Sequence, residues 1–276
     1  MSAPRLSVVI PAFNNVAVIV ETVRSVLGQR DAEFELIVAD HSSTDGTRAA
    51  VQEFAGDDRL TIVNTPAGGG APRNWNRVTE LARGEYIKLV CGDDILRPGV
   101  LARQLRLLDD SGAVLTACRR DIIDVEGRVL FPGWGLRGLR RPMSGARAVR
   151  RAVRAGSNLF GEPASVMMRT AALEQTGGWY DEFPYLIDQA TYSRVLMTGA
   201  FVPDDEVGAT FRMSSSQWSV ALVREQSVQA REFHRWLHEQ YPDAVGGLDV
   251  VLGNARASVM ARARRLSYKL LERRMR

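Results

Sequence analysis

Between Leu6 and Asp94 the chain alternates four short apolar runs with amphipathic stretches, and this pattern leaves few folds open. Leu6 to Ile10 is a β-branched run stopped by Pro11. Asn14-Asn15 open a helix whose apolar face is Val16, Ile19, Val20, Val23 and Leu27, at three- and four-residue spacing. Phe34 to Ala39 is a second run, ending at Asp40, and the cap-type residues Ser42, Ser43 and Thr44 precede another helix. Leu60 to Val63 is a third run, followed by the loop Pro66-Ala67-Gly68-Gly69-Gly70. Trp75, Val78, Leu81 and Ala82 mark the next helix, which Gly84 closes. Tyr86 to Val90 is the fourth run, and it leads into Cys91-Gly92-Asp93-Asp94. Apolar strands separated by amphipathic helices predict an α/β chain with a mostly parallel sheet flanked by helices. Such sheets bind ligands at the carboxyl ends of their strands. Pro11, Asp40 and Asp93-Asp94 lie at or just past strand ends, so they are expected at one rim.

Beyond Pro98 the pattern loosens. Leu101, Leu105 and Leu108 mark a helix, and Val114 to Cys118 a strand. Residues 119–157, rich in Arg and Gly, read as irregular. Val166 to Met168 is a short strand, Gly177-Gly178 a break, and Asp188 to Thr198 a helix. From Val220 onward the pattern is helical, with a break at Gly246-Gly247.

Apolar residues make up 45% and charged residues 25% of the 276, which excludes disorder as the general state. No run approaches the ~18 apolar residues of a membrane span. Met1-Ser2-Ala3-Pro4-Arg5 lacks the apolar stretch of a signal peptide. Cys91 and Cys118 are too few for a disulfide framework or a four-cysteine zinc site, so the expected location is cytoplasmic, with reduced thiols. The net charge of +4 is unevenly spread. Residues 254–276 hold eight basic side chains against Glu272, a local +7 that leaves −3 for the rest. A second basic stretch, Arg119 to Arg154, has ten arginines against Asp121, Asp124 and Glu126.

Asp93-Asp94 is the most informative dipeptide. The chain has three other Asp-Asp pairs, at 57–58, 109–110 and 204–205, so the pair alone says little. Its position directly after an apolar strand separates it from them. Two carboxylates at a buried strand end repel unless a cation or donors compensate. Mg²⁺ or Mn²⁺ suits this place, since hard cations take one or two carboxylates and fill the shell with phosphate oxygens and water. An N-cap or turn role is the plain alternative.

These segments resemble the family 2 glycosyltransferases, which have the GT-A, Rossmann-like fold. Ser7-Val8-Val9-Ile10-Pro11-Ala12-Phe13-Asn14 resembles their opening strand, and the stretch from Phe34 to Thr47 their second strand and Asp-rich loop. Ala71-Pro72-Arg73-Asn74 and Ala82-Arg83-Gly84-Glu85-Tyr86-Ile87 are similar to the segments before the family's DxD metal motif, where Cys91-Gly92-Asp93-Asp94 stands. Glu162-Pro163, Met168-Arg169, the stretch from Gly177 to Glu182, and Asp188 match the acceptor half. The resemblance covers about residues 5–215. It implies an inverting, metal-dependent transfer of a sugar from a nucleotide-diphosphate donor to an acceptor hydroxyl, in bacterial cell-surface polysaccharide or glycolipid assembly. Asp40 matches the base-recognising Asp, with a helix cap as its plain reading. Pro11 and Phe13 resemble the residues bordering base and ribose, and Arg73 an arginine that approaches the nucleotide. Asp94 is expected to ligate Mn²⁺ or Mg²⁺, with Asp93 also in the metal motif but turned toward ribose or sugar. Asp188 matches the catalytic base, with Glu182 and Asp181 as runners-up. Trp179 and Glu162 are expected to bind acceptor, Trp179 by stacking on a sugar face, with a packed core aromatic as its plain reading.

Two departures stand out. Cys91 occupies a place where relatives often have a further Asp, and no His follows Arg212 in Ser214 to Ser219, where many relatives have one. They give some weight to a catalytically silent nucleotide-sugar-binding module. A nucleotidyltransferase is a further alternative, although Pro11-Ala12-Phe13-Asn14 lacks its Gly-rich, basic signature. The expected organisation is a donor half over 1–98, an acceptor half over 99–219, and a helical, basic extension over 220–276. The expected partners are the donor, a saccharide or lipid-linked acceptor, and, through the basic C-terminus, the inner face of the cell membrane. Nucleic acid is not expected, because no reader motif is present.

Overall fold

The structure, a computed structural model, describes residues 4–213 and 226–274, with side chains to residue 260. Ser214 to Ser219, the start of the helical region at Val220, and the expected boundary at 219–220 lie outside the described residues.

One nine-stranded sheet organises the chain. Strands β1 (Leu6–Ala12), β2 (Phe34–Asp40), β3 (Leu60–Asn64) and β4 (Tyr86–Leu89) are parallel, in the order β3-β2-β1-β4. Side chains alternate across the pleat. Val8 and Ile10 join a core with α1 (Ile19–Leu27) and α4 (Val100–Ser111), while Val9 joins a second core on the opposite face. With both faces covered, β1 and β2 are buried at every position, as their near-continuous apolar runs require, and the buried Ser7 hydroxyl donates to Glu35 at 2.7 Å.

The second half is not parallel throughout. β8 (Val166–Arg169) lies antiparallel between β4 and β5 (Leu115–Ile123). β9 (Ala200–Arg212) runs parallel to β5, and β6 (Val129–Trp134) forms a hairpin with the far end of β5. β7 (Met143–Ser144) closes the edge against β9.

Several sequence expectations need correction. The first strand does not stop at Pro11. It runs to Ala12, with Pro11 paired to Ala39. On its other side, pairing with β4 ends near Val9, where Val90 N–H donates to the Val9 carbonyl, so no ladder bond asks for the missing N–H of Pro11. The first helix begins at Ile19 rather than Asn14, because Asn14 takes a left-handed φ of 49° and the Asn15 carbonyl accepts from Val18 and Ile19. Ser42 to Thr44 do not cap α2 (Thr47–Gln52); Asp45 accepts from its Thr47 N–H at 2.9 Å. Residues 119–157 are ordered: they finish β5 and supply β6, β7 and α5 (Gly145–Ala155).

The remaining helices complete the layers. α3 (Gly70–Thr79), α6 (Thr170–Gln175) and α7 (Ile187–Leu196) flank the sheet. α8 (Gln226–Gln240) buries Phe233 and Leu237 on the core, and α9 (Gly247–Arg274) packs against α5 and α8.

Candidate active site

The carboxyl ends of β2, β1 and β4 gather two groups of residues at one rim. The first belongs to β1 and β2. Asp40 pairs with Ala12 at the strand ends, and Phe13 lies just beyond, 57% exposed, its ring 5.9 Å from that of His41. Asp40 is buried. Its Oδ2 accepts from Ser43 N–H at 3.3 Å, so the helix-cap role survives only as a local turn, while its Oδ1 is buried with no hydrogen-bond partner among the described residues. Arg73 projects from α3 into the glycine loop, exposed, donating to the Ala67 carbonyl. Buried Asn74 donates to the carbonyls of Ala12 and Ala39, and His41 Nε2 pairs with the Gly68 carbonyl at 2.9 Å. Sequence reading missed Asn74, which ties α3 to both strand ends.

The second group surrounds Asp93-Asp94. Asp94 is 1% exposed. Its Oδ1 accepts from the backbone N–H of Arg212 at 3.2 Å, and its Oδ2 is buried without a partner among the described residues. Burial, then the charges of Asp93 and Glu162, push its carboxyl well above the usual range, against the pull of Arg212. Buried Arg212 donates from Nε to the Asp93 carbonyl, from Nη1 to those of Asp124 and Val125, and pairs with Glu21 at 2.6 Å. The end of β9 is thereby sewn to the acidic motif and to the β5–β6 turn.

Asp188 sits in the first turn of α7 and meets the same cluster. Its Oδ1 accepts from Gln189 N–H at 2.7 Å and its Oδ2 from Asn158 Nδ2 at 2.8 Å. Burial is the main cause raising its pKa to about 7, and nearby Glu162 adds to it. Glu162 is held by Arg120, whose Nη2 donates to its Oε1 at 3.1 Å while Nε pairs with Oε2. Cys91 is the common neighbour: burial raises its thiol, and Asp94, Asp93, Asp188 and Glu162 all add to the effect. Carboxylates from β4, the β8 approach and α7 thus share one electrostatic environment.

Trp179 is a correction. It is 3% exposed, edge-on to Trp75 at 4.9 Å, and its Nε1 donates to Thr79 Oγ1. It offers no free face to a sugar, and its size is spent on joining α3 to α7. Asp181 and Glu182 are exposed, with Glu182 bonded to the Tyr180 hydroxyl, so neither belongs to the cluster. Beyond residue 98, the most exposed aromatic side chains among the described residues are Phe131 and Trp134 on β6, 51% and 45% exposed, with ring centres 6.1 Å apart. Their strand meets the cluster directly, since Arg120 Nη1 reaches the Trp134 carbonyl.

The oxygen donors at Asp93-Asp94 fit a hard divalent cation. Asp94 Oδ2 is an orphaned acceptor, and the surrounding acids exceed the charge that Arg212 balances. Among the described residues no group of three or more His, Cys, Asp or Glu is placed to hold an ion by itself. A cation here would take its remaining ligands from diphosphate oxygens and water.

Fold and rim describe an α/β chain with acidic side chains gathered at the carboxyl ends of its parallel strands, and comparison supplies the family. Residues 7–177 match the model of glycosyl transferase family 2, and the chain belongs to that family. It is 33% identical over 243 residues to the uncharacterized protein MT1568 of Mycobacterium tuberculosis (strain CDC 1551 / Oshkosh), covering 85% of this chain and 76% of that one. It is 31% identical to the GalNAc(5)-diNAcBac-PP-undecaprenol beta-1,3-glucosyltransferase of Campylobacter jejuni, over 48% of this chain and 44% of the relative, so the match spans less than half of that protein. Solved structures share the GT-A fold. S. aureus TarS 1-349 in complex with UDP-GlcNAc superposes with a TM-score of 0.66 at 19% identity, covering 85% of this chain and 66% of that chain. The mannosyltransferase PcManGT from Pyrobaculum calidifontis, in complex with GDP-Man and Mn²⁺, gives 0.61 at 19% identity, covering 98% and 81%.

Proposed function

We propose that this chain is an inverting glycosyltransferase that moves a sugar from a nucleotide-diphosphate donor to the hydroxyl of a saccharide or lipid-linked acceptor, using Mn²⁺ or Mg²⁺, in bacterial cell-surface polymer or glycolipid assembly. The observation that carries it is Asp188, a carboxyl near neutral pKa in the same charged cluster as Asp93-Asp94. An alcohol is a poor nucleophile until its proton leaves in the transition state, and a base works best with a pKa near the working pH. The UDP-GlcNAc of the TarS complex and the GDP-Man of the PcManGT complex support the donor class. The undecaprenol-linked acceptor in the name of the Campylobacter relative supports the lipid-linked class.

The division of labour follows the chain. Residues 1–98 take the donor: the unpartnered Oδ1 of Asp40 accepts an imide or ring N–H of the base, Pro11 and Phe13 border base and ribose, and Arg73 faces the diphosphate. Asp94 and Asp93 hold the cation, which when bound stabilises charge on the departing diphosphate. Residues 99–219 take the acceptor: Asp188 removes the hydroxyl proton while Asn158 and Gln189 N–H fix its carboxylate, and Glu162, clamped by Arg120, hydrogen-bonds acceptor hydroxyls.

The direct test is a panel of nucleoside diphosphates with and without Mn²⁺, read by thermal shift, followed by nucleotide-sugar turnover. A ligand at 100 times its dissociation constant stabilises the folded state by ~2.7 kcal/mol. Absence of any Mn²⁺-dependent nucleoside diphosphate shift would overturn the reading. Asp94→Asn is expected to weaken nucleoside diphosphate binding at least about tenfold in Mn²⁺ while leaving metal-free binding unchanged. Trp134→Ala is expected to raise acceptor KM up to about tenfold with donor KM constant, the size of one aromatic contact. An unchanged acceptor KM would remove Trp134 from the site.

A further inference from the structure

We propose that the outward face of α9, together with the arginine row of α5, is a docking surface for an anionic lipid bilayer. The first observation is how α9 sits. Asp249, Gly253 and Ala257, four residues apart, turn inward: Gly253 lies against the Val153 carbonyl and His234, and the backbone at Ala257 against Gly156. A surface helix fixed by one face normally presents polar side chains on the other. This one presents Leu248, Val251, Leu252 and Val259, at 80%, 65%, 47% and 62% exposure. Single exposed aliphatics need no account, but four on about three turns of one helix do.

The second observation is charge. Arg147, Arg150, Arg151 and Arg154 of α5 line a hollow of about 350 Å³, and α5 carries no acid. The hollow abuts the first turn of α9, because Arg150 and Arg154 both pair with Asp249 and Arg150 also donates to the carbonyls of Asp243 and Ala244. The acid at the start of α9 is thus neutralised. Over residues 247–276 Asp249 and Glu272 face eight basic residues.

Apolar side chains bordered by fixed positive charge match the boundary of an anionic bilayer, where aliphatics enter the acyl region and arginines meet phosphates. A second copy of the chain fits less well, since a two-fold contact would set this positive surface against itself. No helix among the described residues is long and apolar enough to cross a membrane, so the contact lies in the plane of the interface. The inference does not rest on the sugar chemistry proposed above.

Vesicle co-sedimentation of the full chain tests it, with phosphatidylglycerol-containing and pure phosphatidylcholine vesicles as separate arms. The wild-type protein is expected to pellet with the anionic vesicles only, and less so as salt rises. The triple variant Leu248→Ser/Leu252→Ser/Val259→Ser, all on exposed positions, is expected to bind them about tenfold more weakly or worse. Arg147→Glu, a single charge reversal in the hollow, is expected to weaken binding to the anionic vesicles while nucleoside diphosphate binding stays unchanged. Wild-type protein left in the supernatant, or a triple variant that binds as wild type does, would overturn the proposal. So would sedimentation velocity showing a dimer that the triple variant dissolves, with no vesicle binding; the face would then be a self-interface. The nucleoside diphosphate thermal shift reports separately on the glycosyltransferase reading.

Discussion

Asp188→Asn is expected to lower kcat by about a thousandfold while donor KM stays within a factor of about two. The expectation follows from what else the cluster offers a hydroxyl proton. Burial holds the Cys91 thiol and the Tyr192 hydroxyl well above their ordinary values, so both keep their protons at neutral pH. Glu162 is occupied by Arg120. Asp94 is buried, with one oxygen taken by the Arg212 N–H. The Asn variant keeps the Gln189 N–H bond at Oδ1 but sets an amide against the Asn158 donor, so Asp188→Ala serves as the second variant. Single-turnover transfer is the measurement. Retention of more than about a tenth of wild-type kcat in both variants would assign the base elsewhere.

The pH profile gives an independent check. With the carboxyl at about 7, kcat/KM should rise about tenfold per unit below that pH and level off above it. The limb should vanish in Asp188→Asn. The stability consequence has the opposite sign. A carboxyl raised in the folded state binds its proton more tightly there than in the unfolded chain. Its contribution to stability is therefore full at acid pH, below about 4, and is lost as pH rises through about 7. Under the proposed mechanism the ionised, active form of the site is the less stable one.

Residues 1–98 were legible in the sequence because their constraints are local. A strand buried on both faces reads as a near-continuous apolar run, so β1, β2 and β4 declare themselves despite Ser7, Glu35 and Lys88, and a residue at the end of such a run is expected at the rim. The residues after 98 hide the same information. In α5 the stripe Ala148, Val149, Ala152, Val153 is made of small residues between arginines, and the segment reads as a polar loop. β9 carries Pro203, Asp204, Asp205 and Glu206, residue types depleted in strands, yet Asp204 is buried on Arg103 at 2.8 Å. Trp179 shows the limit of residue type: an indole after two glycines is as apt for a core as for a sugar, and only Thr79 and Trp75 decide. The bonds that assemble the cluster join Arg120 to Glu162, Asn158 to Asp188 and Arg212 to Asp94, spanning 42, 30 and 118 residues. No window along the chain contains both members of such a pair.

Arg120 tests that long-range assembly most severely. Arg120→Met is expected to destabilise the fold by about 3 kcal/mol, because Glu162 is then left partly buried beside Asp188 with no counter-charge. The site is built around this guanidinium. Gly135 and Gly161, at φ of 118° and 98°, approach it so closely that a Cβ would stand 2.7 and 3.0 Å from its Nη1. The same substitution should raise the pKa of Asp188 further, since Arg120 is among the groups that lower it. The acid limb of kcat/KM then moves above pH 7, a shift that loss of packing alone would not produce. Arg120→Met/Glu162→Gln should recover part of the stability, because neither charge remains, and should return the limb toward its original place. Chemical denaturation and pH-dependent turnover of the single and double variants measure both. An Arg120→Met protein that unfolds at the wild-type midpoint, with the limb unmoved, would mean that solvent rather than this arginine balances the acceptor-side carboxylates.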